Sequence, residues 1–479
     1  MFPAKPFFFF VVLGVAVMGL FAAPASAALP VPAGAPATPL SYGDYAQAVV
    51  DSSTDVDAYT FEGTAGDLVV IQIHRTSGLF YPELELLAPN DSLVAQVGGA
   101  SSHQEIVDYS LPYSGTYTVL ASDYVALNTG SYWLSLQCRQ DLKADASVIA
   151  YDSITDTMTV DPYGSMDGYV FEGNAGDLVI IQMHRVSGLF YPQVELLAPN
   201  DSLVTLAWGV GSHQKIVDYS LPYSGTYTVC AGDYGGSETG DYWLTLQCRQ
   251  QVKAAGTVFG YDSLADSVTV SPYGDMDGYV FEGNAGDLVI VQLHRTSGTF
   301  YPRLELFGPN DSLVTQVWGT SSHQKIVDYS LPSSGTYTVY ASDYEGSKTG
   351  DYWLTLQCRQ HVKANAAAIA YDNFTDSVSV SPYGDMDGYV FEGIAGEAVT
   401  VQLHRVAGVF YPRLELFAPN DSLVKEAWGT GPHQKAVDYV LPYSGTYTVF
   451  ASDQDGSRTG DYWLTLQCRQ QVKANAVPV

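Results

Sequence analysis

The sequence predicts an all-β chain of four tandem antiparallel β-sandwich domains, jelly-roll or immunoglobulin-like. Three observations carry this reading: a passage repeated at a fixed interval, a two-residue hydrophobic alternation inside each repeat, and turn-forming clusters between the alternating runs. DGYVFEGNAGDLVIVQLHR, beginning at Asp277, nearly repeats the passage at Asp167, and variants begin at Asp57 and Asp387. Phe61, Phe171, Phe281 and Phe391 recur at one constant interval, and Cys138, Cys248, Cys358 and Cys468 keep it without insertion or deletion. Solenoid units run to about 20–50 residues because each borrows its neighbour's core, so a unit as long as the stretch from Phe61 to Phe171 is expected to enclose its own.

Taken in order, the stretch from Met1 to Ala27 reads as an export signal. Lys5 precedes an apolar run from Phe7 to Phe21, and Ala25-Ser26-Ala27 offers a cleavage site. Residues 28–40 are a spacer, followed by repeats over 41–143, 144–253, 254–363 and 364–479. The boundaries follow each CRQ, in QDLKADAS, QVKAAGTV and HVKANAAA; these junctions are short and lack Pro- or Ser-rich stretches, so a semi-rigid string is expected. The mature chain has no second apolar segment of spanning length and is expected to be secreted or held at the cell surface without membrane insertion.

Within a repeat the period is two. In GDLVIVQLHR, Val289, Val291 and Leu293 share one face, with Leu288 and Ile290 on the other. In GTYTVYAS, Tyr337, Val339 and Ala341 alternate with Thr336 and Thr338. EGNAGD, GPNDS, PSSG and EGSKTGD gather Gly, Asn, Asp and Pro where the chain must reverse. This spacing predicts seven or eight short strands per repeat, and no segment after the signal shows sustained helical periodicity.

Composition limits the partners. With 51 acidic and 21 basic residues the formal charge is −30, which repels phosphate backbones and anionic headgroups, so nucleic acid and lipid surfaces are excluded as partners. Four of the five cysteines occur once per repeat, on the apolar parity of Tyr132, Leu134 and Leu136 in the first, which predicts buried free thiols. Cys230 stands where the other repeats have Leu120, Tyr340 and Phe450, and no bridge to Cys248 is expected.

The succession Asp55-x-Asp57-x-Tyr59-x-Phe61, then AGDLV, LELLAPNDSLV, LPYSGTYTV and TGSYWLSLQ, resembles the bacterial pre-peptidase C-terminal domain across nearly the whole of each copy. The resemblance implies compact β-sandwiches of the kind appended to secreted bacterial proteases, here without the peptidase that usually precedes them. Relatives in clostridial collagenases bind collagen and calcium.

Calcium seeks six to eight hard oxygens, and carboxylates two residues apart in a loop can turn toward one ion. Asp55 with Asp57, Asp275 with Asp277, and Asp385 with Asp387 are therefore candidate calcium ligands, as is Asp167, beside which Ser165 replaces the first acid. The alternative is a turn whose aspartates cap local N–H groups. Histidines recur as His74/His103, His184/His213, His294/His323 and His404/His433; zinc wants three or four converging ligands, so hydrogen-bonded structural roles are expected. Ser322, His323 and Asp328 carry the residue types of a catalytic triad, yet no nucleophile elbow accompanies them, and no catalytic residue is assigned. LPYSG and the N-D-S triplets at Asn90, Asn200, Asn310 and Asn420 read as turns. Trp208, Trp318 and Trp428 stand beside a loop in three repeats and are the candidate ligand contacts, able to stack on sugars or extended polypeptide or to close one end of the core.

The expected function is that of an exported, non-enzymatic array binding an extracellular protein or polysaccharide polymer, with calcium as a candidate stabiliser. A structural spacer or surface-layer component is the alternative, and a secreted hydrolase the third reading.

Overall fold

The computed structural model describes residues 37–375 and 378–470; the predicted export signal lies outside them. The chain divides into two compact units, one ending at Cys138 and one starting at Arg139. The first unit contains one sandwich of nine strands: β1 (Thr38–Pro39), β2 (Tyr45–Val50), β3 (Val56–Gly63), β4 (Leu68–Arg75), β5 (Pro82–Leu87), β6 (Leu93–Gly98), β7 (His103–Ser110), β8 (Gly115–Asp123) and β9 (Gly130–Cys138). One sheet has the order β1-β3-β8-β5-β6 and the other β2-β9-β4-β7. The chain crosses between sheets from β3 to β4, and β8 and β9 return beside them, so the two long antiparallel ribbons face each other. β1, a two-residue strand parallel to β3, lies within the segment read as spacer, and Leu40 packs on the core.

The alternation of the sequence becomes the core directly. Val69, Ile71 and Ile73 on β4 meet Phe61, Leu84, Leu86 and Val119 from the other sheet, all buried. Fully burying one such side chain stabilises the fold by about 1.5–3 kcal/mol, which is why register is fixed on this face. β4 pairs with β9 without interruption, whereas its pairing with β7 shifts register at a bulge between Val69 and Ile71.

The second unit contains three further sandwiches on the same plan, each displaced from the last by one repeat length. Their cores are separate: one draws only on residues 149–246, the next on 259–356 and the last on 369–466. Each repeat thus encloses its own interior. All five cysteines are buried and unbridged.

The repeat boundaries hold what the sequence reading missed, the six-residue helices α1 (Arg139–Ala144), α2 (Arg249–Ala254) and α3 (Arg359–Ala364). Such a helix makes fewer than two turns, too few to register as a 3.6-residue period. Beside α2 and α3 lie two small apolar clusters that join neighbouring repeats: Ile180, Val252, Met276, Phe307 and Tyr340, and Ile290, Val362, Met386, Phe417 and Phe450.

Candidate functional site

The scarce basic residues of the second unit concentrate at its junctions. Arg249, the first residue of α2, is buried and donates from Nε to Asp218 of its own repeat at 2.5 Å and from Nη2 to Glu305 of the next at 3.1 Å. Its guanidinium lies over Phe307 and Tyr340, at 4.6 and 4.8 Å from the ring centroids, and the Tyr340 hydroxyl donates to its carbonyl oxygen at 2.9 Å. Arg359 repeats the arrangement with Asp328, Glu415, Phe417 and Phe450. Asp218 and Asp328 sit in the strand bulge with φ of 53° and 50°, a left-handed conformation that Asp tolerates better than most residues. The bulge turns their carboxylates to the arginine. Lys253 adds an ion pair to Asp311 at 2.5 Å, and Lys363 another to Asp421, so the aspartates of the N-D-S turns also serve the junctions.

The acidic pairs are divided between two tasks. Asp57, at the start of β3, accepts the hydroxyl hydrogen bond of Tyr132 on β9 at 2.7 Å, and Tyr132 in turn meets Tyr59 at 2.8 Å. This polar link across the sandwich recurs as Asp167–Tyr242–Tyr169, Asp277–Tyr352–Tyr279 and Asp387–Tyr462–Tyr389. Burial pushes all four carboxyls up, Asp277 to about 6, and raises Tyr59 to about 12. The other acid of each pair caps a turn: Asp55 accepts from the Asp51 N–H at 2.8 Å, Asp275 from Ser271 and Asp385 from Ser381, both at 2.9 Å. Asp385 is pushed up to about 7 by burial and by Asp387. Among the described residues no three His, Cys, Asp or Glu side chains converge into one cluster.

The three candidate tryptophans end the counterparts of β6 and point outward. Trp208 is 49% exposed, Trp318 50% and Trp428 55%. Trp208 lies flat on Tyr234, with centroids 3.9 Å apart and planes within 4°, and Trp318 lies on Tyr344 at 3.8 Å and 6°. Each of these two indoles has one face occupied by its tyrosine and the other open. They do not close the core. Gln454 replaces the tyrosine beside Trp428, and in the first repeat Tyr124 fills the space at Gly98, where an added Cβ would stand 2.7 Å from its ring. Arg303 faces Trp318 in register and donates to Glu305 and Gln316, giving the platform a hydrogen-bonding rim.

A different set of tryptophans was not singled out by the sequence. Trp133, Trp243, Trp353 and Trp463 stack on His74, His184, His294 and His404, with centroids 4.9 to 5.6 Å apart. In three of these histidines stacking replaces the expected hydrogen bond, since Nδ1 of His74, His184 and His294 has no partner, whereas Nδ1 of His404 meets Nδ1 of His433 at 3.3 Å. The next repeat covers two of the indoles, with Tyr273 stacked on Trp243 and Tyr383 on Trp353, both at 5.3 Å. The acid of Ser322–His323–Asp328 is held by Arg359, so it does not orient His323 as a triad would need. The junction arginines could have been found from the fixed Arg after each repeat's cysteine, paired with an apolar-flanked Glu at Glu305 and Glu415.

Residues 55–123 match the family described as the bacterial pre-peptidase C-terminal domain. No curated protein matches the chain. Among solved structures, the pre-peptidase C-terminal domain of a Bacillus anthracis collagenase is 19% identical, covering 21% of this chain and 95% of its own length at a TM-score of 0.19. A periplasmic inhibitor of g-type lysozyme, Aeromonas hydrophila PliG, is 15% identical over 22% of this chain and 99% of its own, at 0.17. The BSP domain of a biofilm-associated protein is 10% identical over 91% of this chain and 99% of its own, at 0.16.

Proposed function

From a chain of four tandem domains of the pre-peptidase C-terminal type, the first matched directly over residues 55–123, we propose an exported, non-catalytic array that binds an extracellular polymer. The observation that carries this reading is the open, tyrosine-backed tryptophan repeated in successive domains, Trp208 and Trp318, with Trp428 in the fourth. A flat aromatic face with a polar rim suits the apolar face of a sugar ring or an extended polypeptide. Each contact alone is weak; linked copies raise the effective concentration of the next contact and multiply the affinity. Assignment as non-catalytic is supported by the engagement of Asp328 with Arg359.

The test is sedimentation of the purified chain with a panel of insoluble polysaccharides and fibrillar proteins. Trp208→Ala, Trp318→Ala and Trp428→Ala are expected to weaken binding stepwise, several-fold for each substitution. Full binding by the triple variant would refute the assignment. The bolted junctions favour a second reading, a structural spacer without a ligand, which predicts that the unaltered chain binds no member of the panel.

A further inference from the structure

We propose that His404 and His433 form a surface site for a borderline divalent transition-metal ion, Cu²⁺ more tightly than Ni²⁺ or Zn²⁺. The two histidines stand directly opposite in register, His404 near the end of Ala398–Arg405 and His433 at the start of His433–Val440. Their Nδ1 atoms are 3.3 Å apart. Two imidazole nitrogens at roughly 2.0–2.1 Å from one ion are about 2.8–3.0 Å apart at adjacent tetragonal positions and about 3.3–3.4 Å apart on a tetrahedral ion, so a small approach of the two rings gives the bite of a chelate.

The surroundings hold the donors ready. Trp463 stacks on His404 with centroids 4.9 Å apart, fixing that ring, and stands edge-on to His433 at 6.1 Å. The nearest cations oppose the ion modestly: Lys435 lies two residues along the strand, while the Arg405 guanidinium is turned to the Phe410 carbonyl oxygen at 2.5 Å. No third protein ligand converges among the described residues, so water completes the shell. Imidazole donors and the stability order of divalent ions place Cu²⁺ first.

The equivalent pairs His184/His213 and His294/His323 share the register but are enclosed. His184 Nδ1, His213 Nε2, His294 Nδ1 and His323 Nε2 are all buried, and the following repeat's Gly346 packs against His213. The fourth pair is the exposed one in the second unit.

The test is a Cu²⁺ titration of the full chain at pH 7.5, followed by calorimetry, tryptophan fluorescence and electron paramagnetic resonance. One ion per chain is expected to bind with nitrogen superhyperfine structure from imidazole and to quench Trp463, a signal absent from Trp463→Phe. His404→Ala and His433→Ala are each expected to weaken binding at least tenfold, whereas His294→Ala leaves it unchanged. No binding below millimolar Cu²⁺, or unaltered binding in both the His404 and His433 variants, would overturn the assignment. Since both side chains are surface groups, circular dichroism of the variants is expected to match the parent, and a loss of folding in either would equally contradict the surface placement.

Discussion

Residues buried against their chemical preference carry the testable electrostatics. Asp277 is raised from 3.8 to about 6, chiefly by burial, so the folded state binds its proton more tightly than the unfolded state. The stability this confers is fully present below pH 3.8 and is lost as pH rises through about 6. Asp277→Asn keeps an acceptor for Tyr352 and removes the charge. Relative to the parent it should gain about 1–2 kcal/mol at pH 8 and nothing at pH 3.5, measured by denaturant unfolding across that range. Arg359 poses the opposite case, a charge satisfied by its partners. Arg359→Ala leaves buried Glu415 with only Arg413 as a cation and is expected to destabilise the junction by about 1–3 kcal/mol. Hydrogen exchange should locate the loss at Pro412–Phe417, and adding Glu415→Gln should recover part of it; uniform protection would count against the arginine as a junction bolt.

Strands were legible because their physics is local, whereas junctions depend on residues far apart in sequence. The parity of Val289, Val291 and Leu293 against Ile290 foretold the division observed: the first three enter the repeat's core and Ile290 enters the cluster shared with the next repeat. What that second face would meet was not written in its own repeat. The acidic pairs were visible as motifs, but strand geometry sends Asp57 to a tyrosine on another strand and leaves Asp55 on its turn. The exposed tryptophans were found by sequence, yet their backing tyrosines, Tyr234 and Tyr344, come only after two further strands of the chain. Gly346 shows how closely one element meets the next. Its φ is +74°, and an added Cβ would stand 2.0 Å from Gln182 Oε1 of the preceding repeat. Gly346→Val is therefore expected to open the junction between the second and third repeats without unfolding either. Limited proteolysis should show faster cleavage near α2 with two stable products; unchanged resistance would indicate that the contact is dispensable.

At the scale of the molecule, four interiors are closed individually, and within the second unit the α2 and α3 junctions are each fastened by one arginine, two lysines and a small apolar cluster. This arrangement holds neighbouring repeats of that unit, and their exposed tryptophans, in a fixed relation. The repeated aspartates already serve as links and caps without an ion. Addition of EDTA is accordingly expected to leave the thermal transition essentially where it stands in calcium. A large downward shift would restore the calcium reading of Asp55, Asp57 and their counterparts.

The central claim is that each repeat is a self-sufficient sandwich, and residues 254–363 expressed alone test it most directly by denaturant unfolding and amide NMR. A dispersed spectrum with a single cooperative transition is predicted, at somewhat lower stability because Phe307 and Tyr340 lose their covering arginine. A collapsed spectrum without a cooperative transition would show that the interiors depend on their neighbours and would contradict the account.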